Sequence, residues 1–346
     1  MELIKRDINI DFIGKRNIAF TISGLLIIIS ILTIIVKGGL NYGIDFAGGT
    51  LVQLKFDSHV EIGKIKTGLS AVNISNASVQ LFGDEEENEF LVRTNTPVSA
   101  NKEFSQSLGE ALKTTTGNNA EIRRIEMVGP QVGKDLQEKA LFAIFYSLLF
   151  IAIYISGRFE FKWMLGGITA AVLMGSVYLL SLFKINMIIL TAAALLVTFA
   201  IFWLLNLKYA MAAIVALAHD VMITVGMFSI FDKEFSLSIV AAILTIIGYS
   251  LNDTIIVFDR IRENIKKYTK SPLTAVVNRS VNETLSRTIL TSGTTLLVVI
   301  ALFILGGGII HDFAFALLVG ITVGTYSSVY VASPILIAWQ GKNKKR

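Results

Sequence analysis

The sequence predicts a polytopic α-helical membrane protein that carries one external α+β domain of ferredoxin-like order. Hydrophobic residues make up 53% of the 346 residues and charged residues only 16%, with a mean hydropathy of +0.65, whereas about a quarter of a soluble domain is charged. Apolar runs that approach the ~20 residues needed to cross a bilayer recur along the chain. Residues 37–135 break this pattern, because they carry a net charge of −3 against +8 for the remainder.

The first apolar run, residues 17–36, follows a basic N-terminal segment. A cleaved signal peptide shows the same order of charge and hydrophobicity. The run is long for the apolar part of a signal peptide, however, and no small-residue cleavage motif follows it before Gly38. We therefore expect an uncleaved membrane span.

Seven further apolar runs predict a total of eight spans. They cover about residues 140–155, 163–183, 187–205, 209–231, 236–258, 282–305 and 313–339. Segments rich in Lys and Arg mark the cytoplasmic side of a membrane, and here they alternate with poorer loops along the whole chain. The basic side comprises the N-terminus, residues 158–162, Lys208, residues 260–279 and the tail at 342–346, and the other side holds Lys184, residues 232–234 and His311-Asp312. We therefore expect a multi-pass membrane protein with both termini in the cytoplasm and residues 37–135 outside.

The external segment reads as short alternating elements. Period-2 hydrophobicity and flanking turn residues predict strands at 50–56, 79–82, 89–93 and 121–127, and helices at 60–72 and 102–114. Asn101 is a suitable N-cap for the second helix, and residues 84–87 form an acidic turn. The order β-α-β-β-α-β is that of a ferredoxin-like unit.

An imperfect internal repeat is visible between the hairpin at 162–205 and the segment that starts at Lys208. K-W-M-L-G-G-I-T-A-A-V-L aligns without a gap to K-Y-A-M-A-A-I-V-A-L-A-H. Chance similarity is an open alternative, since membrane helices draw on few residue types. The spans of the first copy contain no acidic residue, so chemistry is expected only in the second.

Several classes of site are not indicated by the sequence. The chain has no cysteine, which excludes a disulfide framework and thiolate metal or redox sites. No P-loop, H-E-x-x-H motif or nucleophile elbow is found, so no ATPase or hydrolase centre is visible. The positive charge lies at span ends, which indicates orientation rather than nucleic-acid binding. We expect no enzyme activity, no cofactor and no metal.

Ionisable residues within the spans are the candidates for function, because a charge at the centre of a membrane helix costs about 2.5–3.5 kcal/mol on insertion scales. His219 and Asp220 lie near the middle of one span. A His beside an Asp can relay protons near neutral pH, or the two can form a polar pair that fixes helix packing. Adjacent residues point roughly 100° apart on a helix, so they need not serve one site.

Asp253 and Arg287 lie at similar depth in two antiparallel spans. Asp253 precedes the polar pair Asp259-Arg260 by six residues, which is roughly 9 Å of helix. An ion pair between Asp253 and Arg287 is possible, although either side chain could instead extend to the headgroup region. The small residue Gly248 and the spacing of Gly320 and Gly324 favour close helix packing.

Four stretches resemble the SecF subunits of the SecD/SecF protein-export family, which is related to the RND transporter superfamily. They are N-Y-G-I-D-F-A-G-G-T (Asn41–Thr50), A-L-A-H-D-V-M-I-T (Ala216–Thr224), L-T-I-I-G-Y-S-L-N-D-T-I-I-V-F-D-R-I-R-E-N (Leu244–Asn264) and S-R-T-I-L-T-S-G-T-T (Ser286–Thr295). The third stretch is long and highly specific. Family-motif residues within these stretches are Asp45, Gly48, Gly49, Asn252, Asp259 and Arg260.

The resemblance implies an RND-like helical bundle with six spans and an external domain after the first. It also implies a SecD-like partner subunit, with which such proteins use the proton-motive force to move preproteins that emerge from the SecYEG channel. In the family, the residues matching Asp253 and Arg287 belong to the proton pathway. We add Asp220 and His219 as candidates, and we expect contact with membrane lipid but not with nucleic acid.

This chain departs from the family pattern at one place. The family normally runs from an R-F-E-x-K loop directly into the helix with the H-D pair, whereas here an extra hairpin, about 163–207, intervenes. Two added spans preserve the topology, but they could alter packing against the partner. The alternatives to an export subunit are an RND-type proton-coupled exporter of small molecules or lipids, and a scaffold without transport activity.

Overall fold

The computed structural model of the chain describes residues 9–74, 77–82, 87–94, 102–182 and 187–343. Several predicted features fall outside these residues: the basic N-terminus, most of the acidic turn, the cap at Asn101, Lys184 and the end of the basic tail.

The membrane bundle is built from eight apolar helical segments. They are α1 (Arg16–Val36), α5 (Pro130–Glu160), α6 (Trp163–Ser181), α7 (Met187–Leu204), α8 (Lys208–Ile230), α9 (Leu237–Lys267), α10 (Leu273–Leu305) and a last segment made of α11 (Gly307–Ser327), a π-helical turn (Ser328–Ala332) and α12 (Ser333–Asn343). Within the described residues, seven of these segments are long and apolar enough to cross a bilayer, and the eighth contains the shorter apolar helix Ile189–Leu204. Seven of the eight predicted spans are thus found within the described residues, with polar extensions at α5, α9 and α10 that hydrophobicity alone does not mark.

The external domain consists of β1 (Gly49–Phe56), α3 (Ile62–Ala71), β2 (Ser78–Leu81), β3 (Glu89–Thr94), α4 (Lys102–Thr116) and β4 (Ala120–Val128), preceded by the short helix α2 (Ile44–Ala47). The sheet order is β2-β3-β1-β4, and every neighbouring pair is antiparallel. This is the ferredoxin-like arrangement that the sequence predicts. Alternate residues of β1, namely Val52, Leu54 and Phe56, are buried against the two helices.

The other face of the sheet looks toward the membrane bundle. Leu51, Gln53 and Arg93 on this face line a cleft of about 940 Å³ together with residues at the ends of α9, α10 and α11. At the same end of the bundle, Lys233 and Asp312 form an ion pair of 2.5 Å. The two loops predicted to be external therefore lie on the side of the external domain.

Contacts between the predicted basic segments cluster at the opposite end of the bundle. Arg158 pairs with Asp259 at 2.6 Å, and Arg262 donates to the Arg158 carbonyl at 2.9 Å. Trp339 donates to the Asn206 side chain at 3.0 Å. The loops thus separate into two sets, as the alternation of charge predicts.

The extra hairpin, α6 and α7, packs on the flank of the bundle formed by α5 and α8. Its core with α5 includes Leu149, Leu173 and Leu190. The ends of the hairpin lie next to each other, because the Lys162 ammonium donates to the Leu205 carbonyl at 3.1 Å. The segments that flank the hairpin also remain in contact.

Glycines on α11 allow this helix to lie directly against α9. A Cβ atom at Gly320 would lie 2.3 Å from Ile246, and one at Gly324 would lie 2.8 Å from the Cβ of Ser250. The predicted close packing at the Gly320–Gly324 spacing is therefore present. Gly248 differs, since a Cβ atom there would have nothing within 4 Å and the residue is exposed.

Candidate functional site

Asp253 is buried where α9, α10 and α11 meet, with 1% of its surface exposed. Its Oδ2 accepts a hydrogen bond of 3.2 Å from the Ser292 hydroxyl on α10. Ser292 in turn accepts one of 2.8 Å from Thr325 on α11. The buried hydroxyls of Thr254 and Thr288 have no hydrogen-bond partner within the described residues. The carboxylate thus lies in a polar interior that has unused hydrogen-bonding capacity.

Arg287 does not contact Asp253, because no ion pair within 4.0 Å joins them in the described part of the chain. The positive charge acts on the carboxylate only through space. The arginine is exposed on the outer face of α10, five residues before Ser292. The ion pair that the sequence allows is therefore not formed. The structure instead has a buried carboxylate and a nearby cation that faces outward.

Asp220 and His219 form a second buried group, centred on α8. Asp220 Oδ2 accepts hydrogen bonds from Ser250 on α9 at 2.6 Å and Ser327 on α11 at 2.8 Å. Asp220 Oδ1 lies 2.9 Å from His219 Nδ1, and His219 Nε2 lies 3.0 Å from the Ser23 hydroxyl on α1. Although adjacent side chains point apart on a helix, this pair is in direct contact and ties four helices together.

The end of α11 brings the two buried groups into one region. Thr325 reaches the Asp253 group, and Ser327 binds Asp220. Between them, Tyr326 lies 3.2 Å from the Ser23 hydroxyl. A π-helical turn begins at Ser328, and such turns occur frequently at functional sites. Four consecutive hydroxylated residues, 325–328, thus connect the surroundings of both carboxylates.

The remaining family-motif residues of α9 lie outside this interior. Asn252 is exposed next to Asp253. Asp259 pairs with Arg158, and Arg260 lies 3.1 Å from Glu263 and 3.7 Å from Glu283. Asp259 and Arg260 therefore form ion pairs at the end of the bundle that is remote from the external domain.

The N-Y-G-I-D-F-A-G-G-T stretch forms a joint between the external domain and the bundle. Asp45 Oδ2 accepts the N–H of Leu237, the first residue of α9, at 2.8 Å. Gly48 and Gly49 have φ values of +75° and +121°, which favour glycine. A Cβ atom at Gly48 would also lie 2.8 Å from the Cα of Pro130 on α5. The two glycines are therefore needed for backbone shape and for close approach to α5.

An ion pair between Arg93 on β3 and Glu234, just before α9, strengthens this joint. Burial lowers the pKa of Arg93. An arginine side chain starts from so high a pKa that it remains charged at neutral pH. The external domain thus contributes a fixed positive charge to the joint.

Several residues of the site were not singled out by the sequence analysis. Ser23 and Ser327 help to complete the Asp220 group, and Thr325 extends the Asp253 group. A usable signal was present in the run T-Y-S-S at 325–328, where four hydroxylated residues follow one another in one apolar span. The isolated Ser23 in α1 gave no comparable signal.

The chemistry available here is protonation and hydrogen bonding. In the part of the chain that the structure describes, no group of three or more His, Asp or Glu side chains could hold a metal ion. Buried carboxylates between membrane helices are typical of proteins that move ions or use ion gradients. The fold and the site together define a multi-pass membrane protein with an external α+β domain and buried carboxylates between its helices.

Comparison with known proteins identifies the family. The family model described as "Protein export membrane protein SecD/SecF, C-terminal" matches residues 108–198 and 174–342, and the "SecD/SecF GG Motif" matches residues 33–58. The chain belongs to the SecD/SecF family. The two C-terminal matches overlap at residues 174–198, within the extra hairpin.

Curated relatives and solved structures agree with this assignment. The chain is 41% identical to a protein translocase subunit SecF from Calditerrivibrio nitroreducens, with 100% of this chain and 99% of the relative covered. It is 43% identical to one from Vibrio alginolyticus, with 97% and 91% covered. It also matches the crystal structure of SecDF, a translocon-associated membrane protein from Thermus thermophilus, at a TM-score of 0.72 and 33% identity over 98% of this chain. The chain spans only 40% of that SecDF chain.

Proposed function

We propose that this chain is an accessory subunit of the Sec translocase that uses the proton-motive force to promote preprotein translocation and release on the outer face of the inner membrane. Its relatives are named as translocase subunits. The chain matches 40% of a SecDF chain, and the proposed assembly includes a SecD-like subunit beside the SecYEG channel. Both termini face the cytoplasm.

The observation that carries the proton-driven part is the buried carboxylate of Asp253. An unpaired negative charge in the interior of a membrane bundle is costly, and protonation removes that cost. Ser292 and Thr325 provide polar contacts beside it. A carboxylate that gains and loses a proton would therefore favour two different packings of α9 against α10 and α11.

The exposed position of Arg287 supports the participation of a partner subunit in this cycle. A guanidinium exposed on the outer face of α10 requires either headgroups or a protein surface to accept it. We propose that a SecD-like subunit covers this face and brings the arginine into the proton pathway. The extra hairpin lies on the α5–α8 flank, which leaves this face accessible.

The test is export of a reporter preprotein into inverted membrane vesicles that contain the partner subunit and the channel. Asp253→Asn keeps the size and hydrogen-bonding ability of the side chain but cannot exchange a proton. Asp253→Asn and Arg287→Ala are each expected to abolish the uncoupler-sensitive part of export. Glu263→Gln makes the same chemical change on α9 at an exposed position and should export normally. Wild-type, uncoupler-sensitive export by both site variants would refute the proton-driven function.

The same variants separate the alternatives. A proton-coupled exporter of small molecules or lipids would lose efflux in Asp253→Asn while secretion stayed intact. A scaffold would tolerate Asp253→Asn, whereas deletion of the whole chain would impair export.

A further inference from the structure

The N-terminus of α9 is capped by a residue of another part of the chain. The first N–H groups of a helix have no acceptor within the helix. Ser236 occupies the N-cap position of α9 but makes no capping side-chain bond, and its hydroxyl instead lies 2.7 Å from that of Ser238. Asp45, 192 positions away, accepts the N–H of Leu237. Its negative charge also suits the positive end of the helix dipole.

Backbone contacts hold the same two segments together. The Gly43 N–H donates to the Phe235 carbonyl at 3.0 Å, and the Phe235 N–H donates to the Asn41 carbonyl at 2.7 Å. The Phe46 and Phe235 rings pack with centroids 6.1 Å apart. The segment before β1 and the turn before α9 therefore form one unit.

This unit lies between the proton site and the external domain. Asp253 lies sixteen residues along α9 from Leu237, which corresponds to about 24 Å of helix. On the other side, β1 begins at Gly49, four residues after Asp45. Packed helices shift as units along their length, so a displacement of α9 at Asp253 reaches the Asp45 contact.

We propose that Asp45 is a positioning residue that links α9 to the external domain, so that helix movement at Asp253 displaces that domain. This inference rests on the proposed function only in assuming that α9 moves during the cycle. Asp45 itself does not carry the transported proton. Its carboxylate transmits position by capping α9 from the segment that leads into β1.

The test compares loss of the cap with loss of the link. Asp45→Ala removes the cap and the side-chain part of the link, while the backbone bonds of Gly43 and Phe235 remain. Asp45→Ala combined with Ser236→Asp restores a cap from within α9, because Asp is a favourable N-cap residue, but does not restore the link. Asp45→Asn keeps a cross-domain acceptor, since the amide oxygen can accept the same N–H.

Two measurements are made on the full chain. Uncoupler-sensitive export is measured in vesicles with the partner and channel present. Separately, spin labels at Lys66→Cys in α3 and Leu302→Cys in α10 report the distance between the external domain and the bundle in nanodiscs; both positions are exposed. The chain has no native cysteine, so no background needs to be removed.

For Asp45→Ala we expect roughly fivefold weaker export, because loss of one N-cap changes an equilibrium constant by about that factor. We also expect a broader distribution of distances between the two spin labels. The double variant should recover thermal stability without recovering export or the narrow distribution, whereas Asp45→Asn should retain both. Recovery of export by the double variant would overturn the proposal, because capping alone would then explain Asp45. So would an unchanged distance distribution in Asp45→Ala.

Failure of the proposed function leaves a different pattern. Export would then be insensitive to Asp253→Asn, while the distance distribution would still broaden in Asp45→Ala. The distance measurement thus tests the link between Asp45 and α9 independently of the proton-driven cycle.

Discussion

Replacement of Asp220 tests the hydrogen-bond group at the centre of the bundle. In Asp220→Ala, Ser250 and His219 lose their bonds to the carboxylate. Ser327 loses one as well but retains the Gly324 carbonyl at 3.1 Å. In Asp220→Asn, the side-chain oxygen can accept from both serines, and the amide group can donate to His219.

The magnitude follows from the two bonds that find no substitute. Hydrogen bonds between membrane helices average about 0.6 kcal/mol, with a maximum near 1.7 kcal/mol. Two such losses and a small cavity predict that Asp220→Ala lowers the free energy of unfolding by about 1–3 kcal/mol. For Asp220→Asn we expect a loss below about 1 kcal/mol, because every donor retains an acceptor.

The measurement is thermal unfolding of the purified chain in detergent. A change of 1 kcal/mol shifts Tm by about 2–4 °C in a domain of 150–250 residues, so the alanine variant should melt several degrees below the asparagine variant. Asp135→Ala, at an exposed position on α5, is the control and should change stability by no more than about 0.5 kcal/mol. Equal Tm values for the two Asp220 variants would refute this account of the hydrogen bonds.

Two further predictions concern glycines and use the same measurement. Gly324→Ala should destabilise the chain by about 1–3 kcal/mol through overpacking, because its Cβ atom would lie 2.8 Å from Ser250. Gly175→Ala on α6 is the control and should not destabilise, because a Cβ atom there would have nothing within 4 Å. A lower Tm for Gly175→Ala would contradict this reasoning. Gly48→Ala should cost more than Gly38→Ala, because both residues have φ near +75° but only Gly48 lies against Pro130. The Gly48 backbone also has a ψ of 172°, in a region that essentially only glycine adopts, so equal losses would contradict both the backbone strain and the contact with α5.

The architecture was predictable because it depends on local patterns. Run length and hydropathy determine the spans, and the alternation of basic loops determines which loops share a side. Period-2 strands and flanking turns were sufficient for the β-α-β-β-α-β order. Helix ends were less accurate: α9 continues to Lys267 beyond the predicted Phe258, because a helix can leave the apolar layer without changing its backbone.

The arrangement of the site was only partly predictable, since it depends on the rotation of each helix relative to its neighbours. Asp253 was identified by its cost in a membrane, and its burial agrees with that reasoning. The outward direction of Arg287 and the contact between His219 and Asp220 depend on side-chain directions that depth does not determine. The Asp45–Leu237 bond joins residues 192 positions apart, and no short pattern marks such a pair.

The position of the extra hairpin also bears on how such bundles change their number of spans. The Glu160 carboxylate accepts the Tyr209 N–H at 3.0 Å, and Lys162 reaches Leu205, so the chain leaves and re-enters the bundle at nearly the same point. Insertion and deletion are tolerated best where the two ends of a segment meet at the surface. Because the hairpin adds two spans that begin and end at one point, its presence does not reverse the direction of any later helix.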